Sequence, residues 1–244
     1  MKIIVPCYNE YHKIDKNRYI QFLKNQEDVG IVFSDDGSTD GTLKTLKEIQ
    51  QSCSSQVHIC VSTQNNGKAG AIRKAVLYCY DEGLEFDKIA YLDADLSVSL
   101  EECYSISGLL NKDILFAFGS RISKIDNTII RTHFRHFSGR FVATMISNLL
   151  GVAVYDSQCG CKVFDAKLAK TVFEDAFISK WLFDVEIIFR IIKLYSRKQL
   201  KNMALEIPLR SWIDAGDSKV KLSYFIRMWY DLYLIKKQYG EIKN

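Results

Sequence analysis

The first half of the chain alternates short apolar runs with longer amphipathic segments. The runs have the length of buried strands and occupy residues 2–5, 29–33, 57–62 and 89–92. The segments between them predict helices at 17–26, at 42–51 and from the 65–70 loop to about Asp81. Strands that alternate with helices in this way predict βαβ units. The expected fold class is therefore α/β, with a doubly wound, mostly parallel sheet.

The second half is less regular but continues the pattern. It predicts strands at 115–119, 161–164 and 204–208, and helices at 129–150, 183–195 and 219–239. No stretch rich in Gly, Ser or Pro and no block of like charge divides the chain. We therefore predict one main domain over residues 1–218 and a C-terminal amphipathic helix over residues 219–244.

Polar segments follow each of the first four predicted strands. They contain Asn9 and Glu10, then residues 35–41, then residues 66–70, and finally Asp93 with Asp95. In an open parallel sheet the ligand lies beyond the carboxyl ends of the strands, so these four segments should meet at one pocket. Their convergence is a stronger signal than any one motif.

Asp93 and Asp95 are one residue apart at the end of an apolar run. On an extended chain they would point the same way and form a patch of hard oxygen ligands. Such a patch suits Mg²⁺ or Mn²⁺ held jointly with substrate phosphates. Taken alone, the motif also fits a solvated turn or a helix cap.

Two further loops carry residues suited to a nucleotide. The adjacent Asp35 and Asp36 repel each other at a strand end, and a carboxylate there could accept a base N–H or ribose hydroxyls. Lys68 opens a helix beside exposed amides, as in a phosphate loop, although the segment lacks the Walker A spacing. The plainer alternatives are a capped turn and an ordinary strand–helix loop.

Basic and acidic candidates follow in the second half. Arg131 and Arg135 would share one helix face, and with Arg121 they suit a phosphate, although a solvated basic face is an alternative. Asp156 and Gln158 lie in a polar turn without readable chemistry of their own. The remaining candidates, Trp181 and Asp184, lie at a helix start, where Asp184 as a simple N-cap is the plainer interpretation.

Composition limits the kinds of partner and the cellular compartment that we expect for the protein. The net charge of +4 is too small to indicate nucleic acid, but it is compatible with anionic substrates or an anionic membrane surface. The seven cysteines show no CxxC spacing and predict reduced, mostly buried thiols. We expect no signal peptide and no membrane-spanning stretch, and hence a cytoplasmic protein that is peripheral on the cytoplasmic face of a membrane.

The C-terminal segment favours a membrane surface as a partner. Residues 219–244 contain six Lys or Arg against two acidic residues, interleaved with Tyr224, Phe225, Trp229, Tyr230 and Tyr233. This composition is typical of an interfacial helix on anionic lipid. A helix that packs its aromatic side on the main domain is the alternative, and different faces could do both.

Together the motifs resemble those of family 2 glycosyltransferases, in the same order and over nearly the whole chain. They are most similar to the branch that loads sugar onto polyprenyl phosphate, the dolichyl-phosphate β-glucosyltransferases and dolichol-phosphate mannosyltransferases. The matching segments are Val5-Pro-Cys-Tyr-Asn-Glu10, Asp35-Asp-Gly-Ser-Thr-Asp-Gly-Thr42, Gly67-Lys-Ala-Gly70, Asp93-Ala-Asp95, Gly119-Ser-Arg121, Asp156-Ser-Gln-Cys-Gly160 and Trp181-Leu-Phe-Asp-Val-Glu186. The last two of these segments are more similar to the glucosyltransferases than to the mannosyltransferases.

The resemblance implies a GT-A fold, a nucleotide-sugar donor, Mg²⁺ or Mn²⁺, and inversion at the anomeric carbon. It implies a lipid-phosphate acceptor held by Arg121, Arg131 and Arg135, and a metal on Asp95 with Asp93 beside it. The implied donor-binding residues are Pro6, Tyr8, Glu10, Asp35, Asp36, Lys68, Asp93, Ala94 and Lys219. The candidates on the acceptor side are Asp156, Gln158, Trp181 and Asp184.

Three positions depart from the family pattern. Cys161 replaces the usual aromatic residue, Asp217 lies inside what is usually Gly-Ser-Lys before Lys219, and Ser97 stands where mannosyltransferase relatives have Gln. In that order, these changes affect the floor of the expected acceptor-binding site, the contact of Lys219 with the donor phosphate, and a third contact with the metal.

The expected reaction is metal-dependent transfer of a sugar, with UDP-glucose as the favoured donor, to a polyprenyl phosphate. A phosphate oxygen is ionised near pH 7 and needs no general base. Transfer to a glycan hydroxyl is the second hypothesis, and it would require a base such as Asp156 or Asp184. A nonenzymatic nucleotide-binding protein is the third.

Overall fold

The computed structural model describes residues 1–130, 133–213 and 222–240. Within these residues the main feature is a seven-stranded sheet. Its strands are β1 (Lys2–Cys7), β2 (Gly30–Asp35), β3 (Val57–Val61), β4 (Lys88–Leu92), β5 (Phe116–Ser120), β7 (Cys161–Asp165) and β8 (Ala204–Pro208). Two short strands, β6 (Thr128–Ile130) and β9 (Ser211–Ile213), pair in parallel as a separate ribbon.

Helices cover both faces of the main sheet. One face carries α1 (Lys16–Asn25), α2 (Thr42–Ser52) and α4 (Leu100–Ser107). The opposite face carries α3 (Gly67–Asp81), α5 (His133–Leu150), α6 (Ala166–Phe173), α7 (Phe183–Met203) and α8 (Leu222–Tyr239). The sheet therefore separates two apolar layers, and the predicted doubly wound α/β class is confirmed.

Burial on both faces explains why the strands read as continuous apolar runs. On β1, Ile3 and Val5 pack into one layer while Ile4 packs into the other, and all three have 0% exposure. Strands with one solvated face would instead alternate apolar and polar residues.

The strand order is β3-β2-β1-β4-β7-β5-β8. Strands β1 to β4 are mutually parallel where they pair, and β5 is parallel to β8, whereas β7 runs antiparallel to both of its neighbours. Successive strands are added on one side of β1 and then on the other, so the order switches between β1 and β4. A crevice at that point is the usual ligand site of such sheets.

Several predicted boundaries were wrong. The helix predicted from residue 129 begins at His133, since Thr128–Ile130 forms β6 instead. The helix predicted to end at residue 195 continues to Met203, past Ser196, whose φ of 78° and ψ of 162° interrupt the helical geometry. The helices α4 and α6 were not predicted. Each has only eight residues and begins at a capping side chain, Ser99 or Asp165.

The C-terminal helix α8 packs on the main domain through one face. Met228, Leu232 and Ile235 are buried in the same apolar layer as α7. The Tyr239 hydroxyl donates a hydrogen bond of 3.1 Å to the buried Glu186 carboxylate. Within the described part of the chain, no helix combines the length and the apolar character needed to cross a membrane.

Candidate active site

A pocket of about 240 Å³ opens at the carboxyl ends of β1 and β4, at the switch in strand order. The four polar strand ends contribute to its walls, so their predicted convergence is confirmed. The pocket contains the expected donor-side residues that the structure describes, except Asp35. Its lining residues are Pro6, Cys7, Tyr8, Glu10, Asp36, Asn65, Gly67, Lys68, Ala71, Asp93, Ala94 and Asp95.

Both carboxylate oxygens of Asp93 have close neighbours. Its Oδ1 atom lies 2.5 Å from Lys68 Nζ, and its Oδ2 atom lies only 2.0 Å from the position that a Cβ atom on Gly160 would occupy. Burial disfavours the charge on Lys68, but attraction to Asp93 and Asp184 outweighs it and raises the lysine pKa. Lys68 therefore stays cationic at the pocket wall.

Asp95 lies in a tight turn at the wall of the pocket. Its Oδ1 atom accepts the backbone N–H of Ser97 at 2.9 Å, and the intervening Leu96 has a φ of 51°. The Tyr19 hydroxyl donates to the Ala94 carbonyl at 3.1 Å, which ties the turn to α1. The turn is therefore held by hydrogen bonds on both sides of Asp95.

The two carboxylates fit a divalent cation. Carboxylate oxygens are hard ligands, and Mg²⁺ is commonly held by one or two carboxylates together with substrate phosphates. Within residues 1–130, 133–213 and 222–240, no three or more His, Cys, Asp or Glu side chains gather into a metal cluster. Asp93 and Asp95 therefore suit a cation shared with a phosphate ligand rather than an all-protein metal site.

Asp36 secures the loop that carries Lys68. Its carboxylate accepts the backbone N–H groups of Asn66 and Gly67, at 2.9 and 2.8 Å, and is 2% exposed. The neighbouring Asp35 lies in the core beside the pocket, and its Oδ1 atom has no hydrogen-bond partner among the described residues. The adjacent acids thus have different environments, which their sequence positions alone did not indicate.

The turn after β1 is bound to the turn after β2. The backbone N–H of Glu10 donates to Thr42 Oγ1 at 2.8 Å, and Asn9, with a φ of 55°, accepts the Thr39 N–H at 2.8 Å. Burial raises the pKa of Glu10. Tyr8 remains 45% exposed at the pocket wall, so its ring is available to a ligand.

Arg121 and Asp156 form a bidentate ion pair. Arg121 Nε lies 2.6 Å from Asp156 Oδ2, and Nη2 lies 2.8 Å from Oδ1. Glu206 supports the pair by accepting the backbone N–H of Asp156 at 2.7 Å. Burial disfavours both charges, but the hydrogen bonds and mutual attraction outweigh it, so the pKa of Arg121 is raised and that of Asp156 is lowered. Sequence reasoning had proposed both residues without indicating that they pair.

We expect Asp156→Asn to lower the free energy of unfolding by about 3–5 kcal/mol at pH 7, because it breaks the bidentate ion pair with the largely buried Arg121. The folded pKa of Asp156 lies below its unfolded value of about 3.9, so this stabilisation is present above that pH and is lost as pH falls through the folded pKa. Urea unfolding at pH 7 and near pH 3 measures the difference. Asp126→Asn, in the exposed pair with Lys124, is the control and should change little. An unchanged stability at pH 7 would contradict the prediction.

The other two arginines are only partly placed by the structure. Arg131 and Lys219 lie outside the described residues, and Arg135 lies in α5 but its side chain is not described. Their expected phosphate contacts stay predictions.

Asp184 lies in the core rather than at a helix cap. Leu182 occupies the N-cap position of α7, so the capping interpretation of Asp184 was wrong. Its Oδ1 atom accepts hydrogen bonds from the Tyr91 hydroxyl and from Lys162 Nζ, the latter at 2.6 Å, and the residue is 4% exposed. Sequence reasoning did not single out Lys162, although a lysine inside an apolar strand is the signal that could have found it.

The last two acceptor-side candidates differ in exposure. Trp181 is 52% exposed and follows Ser179, whose hydroxyl donates to Asp231 of α8 at 2.6 Å. Gln158 keeps its Nε2 atom buried, with no hydrogen-bond partner among the described residues. Neither residue is in the wall of the 240 Å³ pocket.

The comparisons with known proteins agree with this architecture. Residues 2–173 match the model of Glycosyl transferase family 2. The chain therefore belongs to glycosyltransferase family 2, and it is a glycosyltransferase.

Similar curated proteins are dolichyl-phosphate beta-glucosyltransferases. The protein of Dictyostelium discoideum is 26% identical over 260 residues, covering 98% of this chain and 74% of that protein. The Saccharomyces cerevisiae protein is 29% identical, covering 98% of this chain and 75% of that protein. The Homo sapiens protein is 27% identical, covering 94% and 77% respectively.

Solved structures confirm the GT-A fold. Glucosyl-3-phosphoglycerate synthase from Mycobacterium tuberculosis, in complex with UDP, superposes with a TM-score of 0.67 at 14% identity, covering 100% of this chain and 80% of that one. Its complex with Mn²⁺, UDP-glucose and phosphoglyceric acid gives a TM-score of 0.66 at 14% identity, with the same coverage.

Proposed function

We propose that this protein transfers glucose from UDP-glucose to a polyprenyl phosphate, such as dolichyl or undecaprenyl phosphate, with inversion at the anomeric carbon. The observation that carries the proposal is the pocket at the strand switch, where Asp93 binds Lys68 and Asp95 lines the same pocket. The acceptor is proposed from the names of the curated relatives, which span nearly the whole chain.

Within this pocket, Tyr8, Glu10 and Asp36 would border the nucleoside, together with Pro6 and Ala94. Asp95 and Asp93 would hold Mg²⁺ or Mn²⁺, which would neutralise charge on the leaving diphosphate. Lys68 would add a fixed positive charge beside the N-terminus of α3, an arrangement that favours phosphate.

The pairing of Asp156 and Asp184 with cations favours a phosphate acceptor, because these two carboxylates are the bases that a hydroxyl acceptor would require. Asp156 is paired with Arg121, which helps to keep its pKa low, and Asp184 is buried and binds Lys162. A carboxylate that is already engaged in an ion pair is a poor proton acceptor, whereas a phosphate nucleophile needs no general base. In this proposal Arg121 lies on the acceptor side, with Arg131 and Arg135, and Lys219 contacts the donor phosphate.

The assay that tests the proposal supplies labelled UDP-glucose, Mn²⁺ and either dolichyl phosphate or undecaprenyl phosphate. Label in a lipid that mild acid cleaves is the expected result. Label only on an added saccharide would favour transfer to a hydroxyl. No turnover with any nucleotide sugar would favour a nonenzymatic nucleotide-binding role.

We also propose that residues 219–244 form a unit that places the domain 1–218 on the cytoplasmic face of a membrane. The outer side of α8 exposes Trp229, Tyr230 and Tyr233, with the exposed Lys236 and Lys237 following on the same helix. Aromatic rings and lysines on one side of a surface helix suit an anionic interface.

The expected result is that Lys236→Ala together with Lys237→Ala weakens binding to vesicles of phosphatidylserine and phosphatidylcholine about thirtyfold, since each lysine near such a surface contributes about 1 kcal/mol. Cosedimentation measures the change. The control replaces Lys44 and Lys47 with alanine; both are exposed on α2, on the opposite face of the sheet. Equal loss in both double variants would exclude α8 as the specific contact.

A further inference from the structure

A fully buried lysine lies beneath the pocket. Lys162 on β7 is 0% exposed and is in register with Tyr91 on β4 and Phe118 on β5. Its ammonium lies 5.5 and 5.9 Å from the centroids of these two rings. Lys162 Nζ donates to Asp184 Oδ1 at 2.6 Å and to the Cys159 carbonyl at 2.8 Å. The lysine therefore ties the start of α7 to the turn that precedes its own strand.

That turn contacts the pocket directly through Gly160. A Cβ atom on Gly160 would lie 2.0 Å from Asp93 Oδ2 and 2.6 Å from Asp93 Cγ, so the backbone of the turn abuts the carboxylate. Lys68 binds the other oxygen of Asp93. The orientation of Asp93 consequently depends on where the Cys159–Gly160 peptide lies, and Lys162 binds the carbonyl of that peptide.

Stability alone gives little reason for a charge at this place. A buried ion pair gains little over apolar residues of similar volume, because both charges must leave water. What the ammonium adds is a pair of directional hydrogen bonds: Lys162 Nζ donates to the Cys159 carbonyl and to Asp184 Oδ1, which also accepts from the Tyr91 hydroxyl. An apolar side chain would fill the space but would leave that carbonyl unbonded.

We propose that Lys162 is a positioning residue, which together with Asp184 holds the Cys159–Gly160 turn against Asp93 and so sets the orientation of the carboxylate in the pocket. The proposal rests on the proposed function for its consequence, the binding of a nucleotide diphosphate with a divalent cation. The effect of Lys162 on the position of Asp93 does not depend on the proposed function.

The experiment compares the wild type with the double variant Lys162→Met and Asp184→Asn. The double change removes both buried charges, and the asparagine keeps an acceptor for the Tyr91 hydroxyl, so the core retains its volume and that hydrogen bond. We expect an unfolding midpoint in urea closer to the wild type than that of Lys162→Met alone. Isothermal titration with UDP and Mn²⁺ should show at least a tenfold loss of affinity. A crystal structure of the double variant should show Asp93 displaced from Gly160.

Ile192→Ala is the matched control, since Ile192 is a fully buried residue of α7 and its truncation lowers stability without touching the turn. UDP affinity that falls equally in this control would reduce Lys162 to a structural role and overturn the proposal. An unmoved Asp93 in the double variant would also overturn it. If the wild type itself bound no UDP, the proposed function would fail, and the position of Asp93 would still decide the role of Lys162.

Discussion

Replacing Asp95 with asparagine is expected to reduce metal-dependent turnover by at least about a thousandfold, equivalent to roughly 4 kcal/mol of transition-state stabilisation. Asparagine keeps an oxygen that can accept the Ser97 N–H, the bond that holds the turn. It removes the negative charge of one of the two carboxylates that we propose as ligands of the divalent cation. The fold should therefore survive while the cation site is lost.

The measurement is the rate of sugar transfer across a Mn²⁺ titration, together with the thermal midpoint. Asp95→Ala should lose the same activity and also some stability, since it removes the bond to Ser97 as well. The control is Asp113→Asn, an exposed acid in a loop before β5. Retained Mn²⁺-dependent turnover in Asp95→Asn would overturn the assignment of Asp95 as a metal ligand.

The sequence predicted the pocket well because its signals are local. Each strand of the parallel half is an apolar run that ends at polar residues, and the carboxyl ends of parallel strands must share one edge of the sheet. Asp93, Asp95, Glu10 and Lys68 accordingly line one pocket. No knowledge of long-range contacts was needed.

The contacts that the sequence did not reveal join residues that are far apart along the chain. Tyr91 and Asp184 are 93 positions apart, and Arg121 and Asp156 are 35 apart. The sequence marks both acids as candidates, but whether an acid is a free base or the partner of a cation depends on packing between elements. The antiparallel direction of β7 could not be predicted either, because apolar periodicity carries no information on strand direction.

Replacing Gly160 with alanine is expected to reduce transfer about a hundredfold or more. The new Cβ atom would lie 2.0 Å from Asp93 Oδ2, well inside contact distance, so either the carboxylate or the turn must move. The carboxylate cannot swing away freely because Lys68 holds its other oxygen at 2.5 Å. Displacing a group that positions a substrate by about 1 Å can cost about a hundredfold in rate. Overpacking should lower stability by only about 1–3 kcal/mol.

The loss should appear in the binding of UDP with Mn²⁺ as well as in turnover, since both depend on the carboxylate corner. Gly139→Ala is the matched control: a Cβ atom there meets nothing within 4 Å, and alanine favours a helix interior such as that of α5. This control should keep full activity and gain slightly in stability. Wild-type kcat/KM in Gly160→Ala would mean that Asp93 has room to reorient without loss. The close approach of Gly160 would then be a packing feature rather than a condition for catalysis.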